Sequence, residues 1–220
     1  MFKSQKSTFW EALLVTILIF ALGVIAGFVL ENWRTSNVNN LYQISEVSLL
    51  DARVQSEIYS LENFNCTSAI SENINFANRV YLEAKQLERY QKASVLTDDL
   101  RIAHEKYDLL RTMLLLNSLK IKQKCNVSYS DVVYFYKYND KDKDLIAREE
   151  IYSRLLSDLK ETKGDSILLI PIAVDNNVSS VKLLLAKYNI STKELPVILI
   201  DEKVKINTLQ NSEQLAAYFD

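Results

Sequence analysis

The chain contains two cysteines and one histidine, so the thiol and imidazole chemistry open to it is narrow. Cys66 and Cys125 stand far apart. A redox-active dithiol is usually a CxxC pair at a helix N-terminus, where a thiol pKa is lowered. A widely separated pair fits a structural disulfide kept in an oxidising compartment better, with a cycling pair as the alternative. Asp140, Asp142 and Asp144 alternate as at the start of a calcium loop. An EF-hand would then need glycine and glutamate where Leu145 and Ile151 stand, so carboxylates set against a helix N-terminus are the simpler account. His104 lies beside Glu105 and Lys106 in mid-helix and is expected at the surface, with no ligand or catalytic role. No Ser/His/Asp set, P-loop, zinc spacing or dinucleotide fingerprint occurs, so no catalytic residue, metal site or cofactor is assigned. Tyr134, Tyr136 and Tyr138 share one face of a strand, where packing under a helix is the plainer reading and a ligand platform the alternative. Asn65, Asn126, Asn177 and Asn189 open N-x-S/T sequons, which matter only where an exported chain is glycosylated.

The elements that must position these residues follow from composition and pattern. Hydrophobic residues make up 48% and charged residues 25% of the 220, enough for a packed core. Net charge is −2 and no basic block appears, so the footprint of a nucleic-acid binder is missing. Three glycines and two prolines predict long helices with short connections. From Ala12 to Leu30 there is no charge and no polar stripe, and Glu11, Trp10, Glu31 and Trp33 bracket the run. Its length of roughly 28 Å as a helix matches a bilayer core, which predicts a single membrane span. Lys3 and Lys6 precede it and Arg34 follows, so the positive-inside rule keeps the N-terminus cytoplasmic. The expectation is an uncleaved signal anchor in the cell membrane with an extracytoplasmic remainder. Gly23 and Gly27 form a small-xxx-small pair through which two spans can dimerise.

Between residues 38 and 125 three helices are predicted. Val47, Leu50, Val54, Ile58 and Leu61 stripe the first; Ile70, Ile74, Ala77, Tyr81, Ala84 and Leu87 stripe the second. The third starts at a Thr97-Asp98 cap and carries Leu100, Ala103, Tyr107, Leu110, Leu114, Asn117 and Ile121. Such stripes predict a bundle or coiled-coil stalk, itself a surface for homodimerisation, with balanced charges on solvated faces. If the second and third helices turn back near Ala93–Val95, Cys66 and Cys125 return to one end, where a disulfide is geometrically natural.

After Cys125 the period changes. Strands are predicted at Asp131–Tyr138, Ser166–Val174, Pro196–Asp201 and Lys203–Ile206, with helices at Lys143–Lys163, Ser179–Tyr188 and Ser212–Phe219. The order β-α-β-α-β-β-α makes the whole chain α+β: an anchor over 1–37, a helical hairpin over 38–125 and an α/β domain over 126–220. That order, with Leu195-Pro196-Val197-Ile198-Leu199-Ile200-Asp201 after the second helix, resembles the C-terminal part of thioredoxin-like proteins. The resemblance implies a cis Leu195–Pro196 bond and a peptide groove formed by Leu195, Pro196, Val197, Tyr138 and Asn139. Where that superfamily carries CxxC, this chain has Asn139-Asp140-Lys141-Asp142-Lys143-Asp144, so dithiol exchange by the domain is excluded. The whole layout is similar to single-span archaeal envelope proteins with such a domain, a likeness that brings no activity with it.

The functional expectation is a non-catalytic, membrane-anchored binding or assembly module. Its partners are the lipid bilayer and another envelope protein, which pairs its backbone beside Pro196. Two alternatives stand beside it: an oxidoreductase accessory in which Cys66 and Cys125 cycle, and a structural spacer of an envelope complex.

Overall fold

The structure, a computed structural model, describes residues 5–92, 98–208 and 210–219. The expected turn at Ala93–Val95 and the Thr97 cap lie outside the described residues. Helix α1 runs without interruption over Gln5–Ser60, so the predicted span and the first hairpin helix are one element. The chain forms two compact units, Met1–Leu41 and Tyr42–Asp220. In the first, Phe9–Trp33 has a mean hydropathy of 2.9 and none of it is buried, so it is long and apolar enough to cross a membrane. The Thr16 hydroxyl donates to the Ala12 carbonyl at 2.9 Å, which satisfies a polar group inside the apolar run. A Cβ added at Gly23 or Gly27 would meet nothing within 4 Å.

In the second unit, α2 (Cys66–Lys92) and α3 (Asp98–Lys124) are 27 residues each, and Cys66 and Cys125 are disulfide-bonded with Cα atoms 5.7 Å apart. The rest follows the predicted order: β1 (Ser130–Tyr136), α4 (Lys143–Lys163), β2 (Ile167–Ala173), α5 (Ser179–Lys187), β3 (Val197–Ile200), β4 (Val204–Ile206) and α6 (Ser212–Ala216). The four strands make one mixed sheet, β2-β1-β3-β4, in which β1 is parallel to β2 and antiparallel to β3. Asp142 caps α4 and Gly164, at φ 55°, ends it, as the sequence predicts. The three-residue β3–β4 turn places Asp201 and Glu202 at φ 48° and 58°, and the Lys203 N–H closes it on the Ile200 carbonyl at 3.0 Å. The Leu195–Pro196 bond is cis.

Alternation sorts the strand residues onto two faces. Val132, Tyr134, Ile198 and Ile206 pack with Tyr152, Leu156 and Leu159 of α4 and Leu215 of α6. Val133, Phe135, Ile170 and Ile172 face the other way and are equally buried, and α3 lies against β1, β2 and α5. The hairpin expected as a separate stalk is therefore a layer of the same unit, and the boundary expected at 125/126 falls inside that unit. Helix α3 is its central element. Of its predicted stripe, Ala103, Tyr107, Leu110, Leu114, Asn117 and Ile121 are buried, and so are Asp108, Arg111, Thr112 and Ser118, which lie outside that stripe.

The stripe predicted for the first hairpin helix is reversed. Val47, Leu50, Val54, Ile58 and Leu61 are 45–68% exposed, while Ala52, Ser56 and Tyr59 are buried. The reason is that α3 binds the backbone of α1. Asn117 Nδ2 donates to the Ala52 carbonyl at 3.1 Å, Lys120 Nζ to that of Ser56 at 2.9 Å, and Lys124 Nζ to that of Leu61 at 2.7 Å. Small side chains permit this approach, and Lys124 supplies the cation that a helix C-terminus favours. On α2 the predicted Ala77 and Ala84 are buried, but Ala69, Asn73, Phe76 and Val80 are buried one position before the predicted stripe, with Ile70, Ile74 and Tyr81 half-buried. Ala52→Leu is therefore expected to destabilise by about 1–3 kcal/mol through overpacking. Ile58→Ser should stay within about 0.5 kcal/mol of the parent. Urea unfolding of the two variants checks the reversal.

Candidate functional site

Helix α3 carries two polar clusters, one against each end of β1. Near the end where β1 and β2 finish, Asp108 accepts from the Ala173 N–H at 3.0 Å and from Asn176 Nδ2. The Arg111 guanidinium lies 3.6 Å from Asp108, and the His104 ring centroid is 3.9 Å from that of Tyr138. His104 is buried, contrary to the surface position expected, because the helix that carries it is covered by the sheet. The loop after β1 is held by acids: the Tyr138 and Asn139 N–H groups donate to the Asp175 carboxylate at 2.7 Å each, and Lys137 N–H donates to Glu149 at 2.8 Å. Asp140 pairs with Lys137 Nζ at 2.6 Å, and Asp142 accepts from Asp144 N–H. The alternating aspartates thus serve the loop and the helix start.

Burial pushes the Asp108 carboxyl up to about 6, although Arg111 and its two hydrogen-bond donors pull the other way. Burial and Arg111 together push the His104 imidazole down to about 4. The linkage signs are opposite. Asp108, raised in the folded state, contributes less stability as pH climbs from its unfolded range through about 6. His104, lowered, holds its contribution above its unfolded range and loses it as pH falls toward about 4. Global stability between those limits is expected to be nearly flat, while the Ala173 amide proton titrates with a midpoint near 6. Residue-resolved NMR at several pH values reads both.

A cleft of about 370 Å³ opens beside this end of the sheet, with Tyr81 and Lys85 of α2, Arg111 of α3, Tyr136 of β1, Glu149 of α4 and Pro171 of β2 on its walls. The strand β2 is one of the sheet's two outer strands, and Pro171 suits an edge because it has no N–H to leave unpaired. The three tyrosines divide. Tyr134 is buried, donates to the Glu149 carbonyl at 3.2 Å and stacks on Tyr136 at 5.3 Å and 7°; half-buried Tyr136 lines the cleft; Tyr138 stands against His104.

Of the groove implied by resemblance, Tyr138 and Asn139 line this cleft, but Leu195, Pro196 and Val197 are buried. Val197 pairs with Phe135 of β1 at the start of β3, an inner strand between β1 and β4. The four sequon asparagines are all exposed; Asn65 accepts from the Ser68 N–H at the start of α2, and Asn189 has φ 51°.

The second cluster ties α3 to the start of β1. Ser118 Oγ donates to Asp131 at 2.6 Å, and Lys122 Nζ lies 2.8 Å from Asp131 and 2.5 Å from Asp201. The Asp131 and Asp201 backbones close the ring, with Asp201 N–H donating to the Asp131 carbonyl at 2.9 Å. Burial pulls the Lys122 ammonium down, but Asp131 and Asp201 carry it above its ordinary value. Burial raises Asp131 in spite of Lys122.

Sequence reasoning missed Asp108, Arg111, Lys122 and Asp131. An aspartate three residues before an arginine reads as a solvated helix pair, and only knowledge of what covers α3 distinguishes the two cases. No family model, curated protein or solved structure matches this chain.

Proposed function

We propose that the chain is a membrane-anchored, extracytoplasmic binding module whose C-terminal domain is thioredoxin-like and carries out no dithiol exchange. The strand order β2-β1-β3-β4, with helices on both faces, supports the thioredoxin-like reading. Residues 139–144, after β1, contain no thiol, which supports the exclusion of exchange there. Phe9–Trp33 supports the anchor, and the Cys66–Cys125 bond supports an oxidising location for residues 42–220. The carrying observation is the cleft at the C-terminal ends of the parallel pair β1 and β2, the end at which open α/β sheets hold their ligands. The binding surface is that cleft, and the buried Pro196 takes no direct part.

A photo-reactive residue at Ser153, on the cleft wall, is expected to give a mass-shifted adduct in intact membranes. The same residue at Leu183, exposed and outside the cleft lining, should give none. Adducts at both positions or at neither would remove the cleft as the binding surface. Protease added to intact cells should digest residues 42–220, and protection until lysis would invert the topology.

A further inference from the structure

The state of the charges around the cleft goes further than its position. Six of the lining residues carry charge at neutral pH: Lys85, Arg111, Lys137, Asp140, Glu149 and Glu150. Two of the three acids already have hydrogen-bond donors inside the protein, and the third has a long, exposed ion pair. Glu149 takes the Lys137 N–H, Asp140 takes Lys137 Nζ, and Glu150 lies 3.7 Å from Arg154. Two cations remain. Lys85 stands over the Tyr81 ring at 5.9 Å and has no ion pair among the described residues. Arg111 is the more telling. Its side chain is only 8% exposed, yet among the described residues its one counter-charge is Asp108, at 3.6 Å, beyond hydrogen-bond length. Asp108 has already accepted from Ala173 and Asn176. A guanidinium presents five donors in a planar fork, and buried donors are almost always bonded. Arg111 lines the cleft, so the donors that Asp108 does not engage are available to an acceptor there.

We infer that the cleft binds a small organic carboxylate, with Arg111 gripping the carboxylate and the faces of Tyr81 and Tyr136 holding an apolar or aromatic body. This rests on the cleft being the binding surface and names its ligand class. The Arg fork matches a carboxylate in two parallel hydrogen bonds. Phosphate matches the fork too, but it brings no apolar body for the tyrosine faces to hold. About 370 Å³ lies at the small end of ligand pockets and suits an acid with one ring. Tyrosine faces provide the apolar contact that such a ring prefers. The carboxylate has two sources of equal chemistry: a free acid, or the terminal carboxylate of a polypeptide that ends in an apolar residue.

The test uses the full chain in nanodiscs, with phenylacetate, its neutral isostere phenylacetamide, inorganic phosphate, and the dipeptide acetyl-Ala-Phe as acid and as amide. Phenylacetate is expected to bind saturably, at least tenfold more tightly than phenylacetamide and than phosphate, and to shift the Arg111 Nε–H resonance. The dipeptide acid binding a further tenfold more tightly than phenylacetate, and than its own amide, assigns the source to a chain terminus; equal or weaker binding assigns it to a free acid. Arg111→Lys keeps the charge beside Asp108 and loses the fork, so it should weaken phenylacetate tenfold or more. Tyr136→Ala, which leaves the Asp108 pair untouched, should weaken it several-fold. Equal binding of phenylacetate and phenylacetamide overturns the carboxylate but leaves the cleft as a binding surface. Tighter binding of phosphate replaces the ligand class. Absence of saturable binding by all five probes overturns the inference, and the photo-adduct at Ser153 then decides separately whether the cleft binds anything.

Discussion

Reduction of the Cys66–Cys125 disulfide is expected to lower the unfolding free energy by about 4 kcal/mol, the largest single effect of any local change outside the polar core. The bond closes a loop of 59 residues, and the chain-entropy argument scales with the logarithm of that length. Against a typical domain stability of about 5–15 kcal/mol, that loss is about a quarter or more. The native state itself should persist, because Tyr59, Ala69, Ile121 and Cys125 form a buried cluster with Phe64, Ile70 and Val127 against it, and the cluster does not need the bond to pack. Urea midpoints with and without reductant, and of Cys66→Ser/Cys125→Ser, measure the loss. The same experiment weighs the cycling alternative. Cys125 is buried, which slows thiolate attack on its sulfur. A structural bond should therefore survive titration to strongly reducing potentials. If it opens near the glutathione range and stability does not change, the bond is not structural and an oxidoreductase accessory becomes the better reading.

The contrast between what the residues disclosed and what they hid has a physical pattern. Local signals were legible. Asp142 and Gly164 bound a helix predicted over Lys143–Lys163 and found there, and the four strands lie within the predicted ranges or one residue beyond them. The two cysteines predicted their own pairing, since α2 and α3 are equal in length. What failed was every inference that a polar face must be wet. Lys120 and Lys124 of α3 look solvated in sequence, yet they bond α1 carbonyls, and this turns the apolar stripe of α1 outward. Asp108 and His104 look like surface residues for the same reason. Helical periodicity records which residues are apolar; it does not record that a second layer will cover the polar side. The cleft was half legible, through Tyr136, Tyr138 and Asn139, and Arg111 on its wall was not.

The second large effect concerns that hidden polar layer. Lys122→Met removes the ammonium from between Asp131 and Asp201, and Asp131 is only 1% exposed. Stripped of its partner, the buried carboxylate keeps the Ser118 hydroxyl but loses the one cation paired with it among the described residues. Breaking a buried pair in this way costs about 3–5 kcal/mol, more than the pair contributes, because an uncompensated charge remains. The loss has a pH signature. Burial already raises Asp131, and without Lys122 it rises further, so the variant is least stable above that folded-state value. Stability returns as pH falls through it toward the unfolded carboxylate range, where the buried group is neutral. Lys122→Met/Asp131→Asn should recover about 2 kcal/mol of the loss at pH 7, since Asn accepts from Ser118 without carrying charge. Urea unfolding at pH 7 and pH 4.5 separates the two variants. A single-variant loss below about 1 kcal/mol at pH 7, or one indifferent to pH, would mean that apolar packing alone joins α3 to the sheet. The placement of Arg111 at the cleft depends on that junction, because Lys122 fixes the last turn of the same helix whose middle carries the fork.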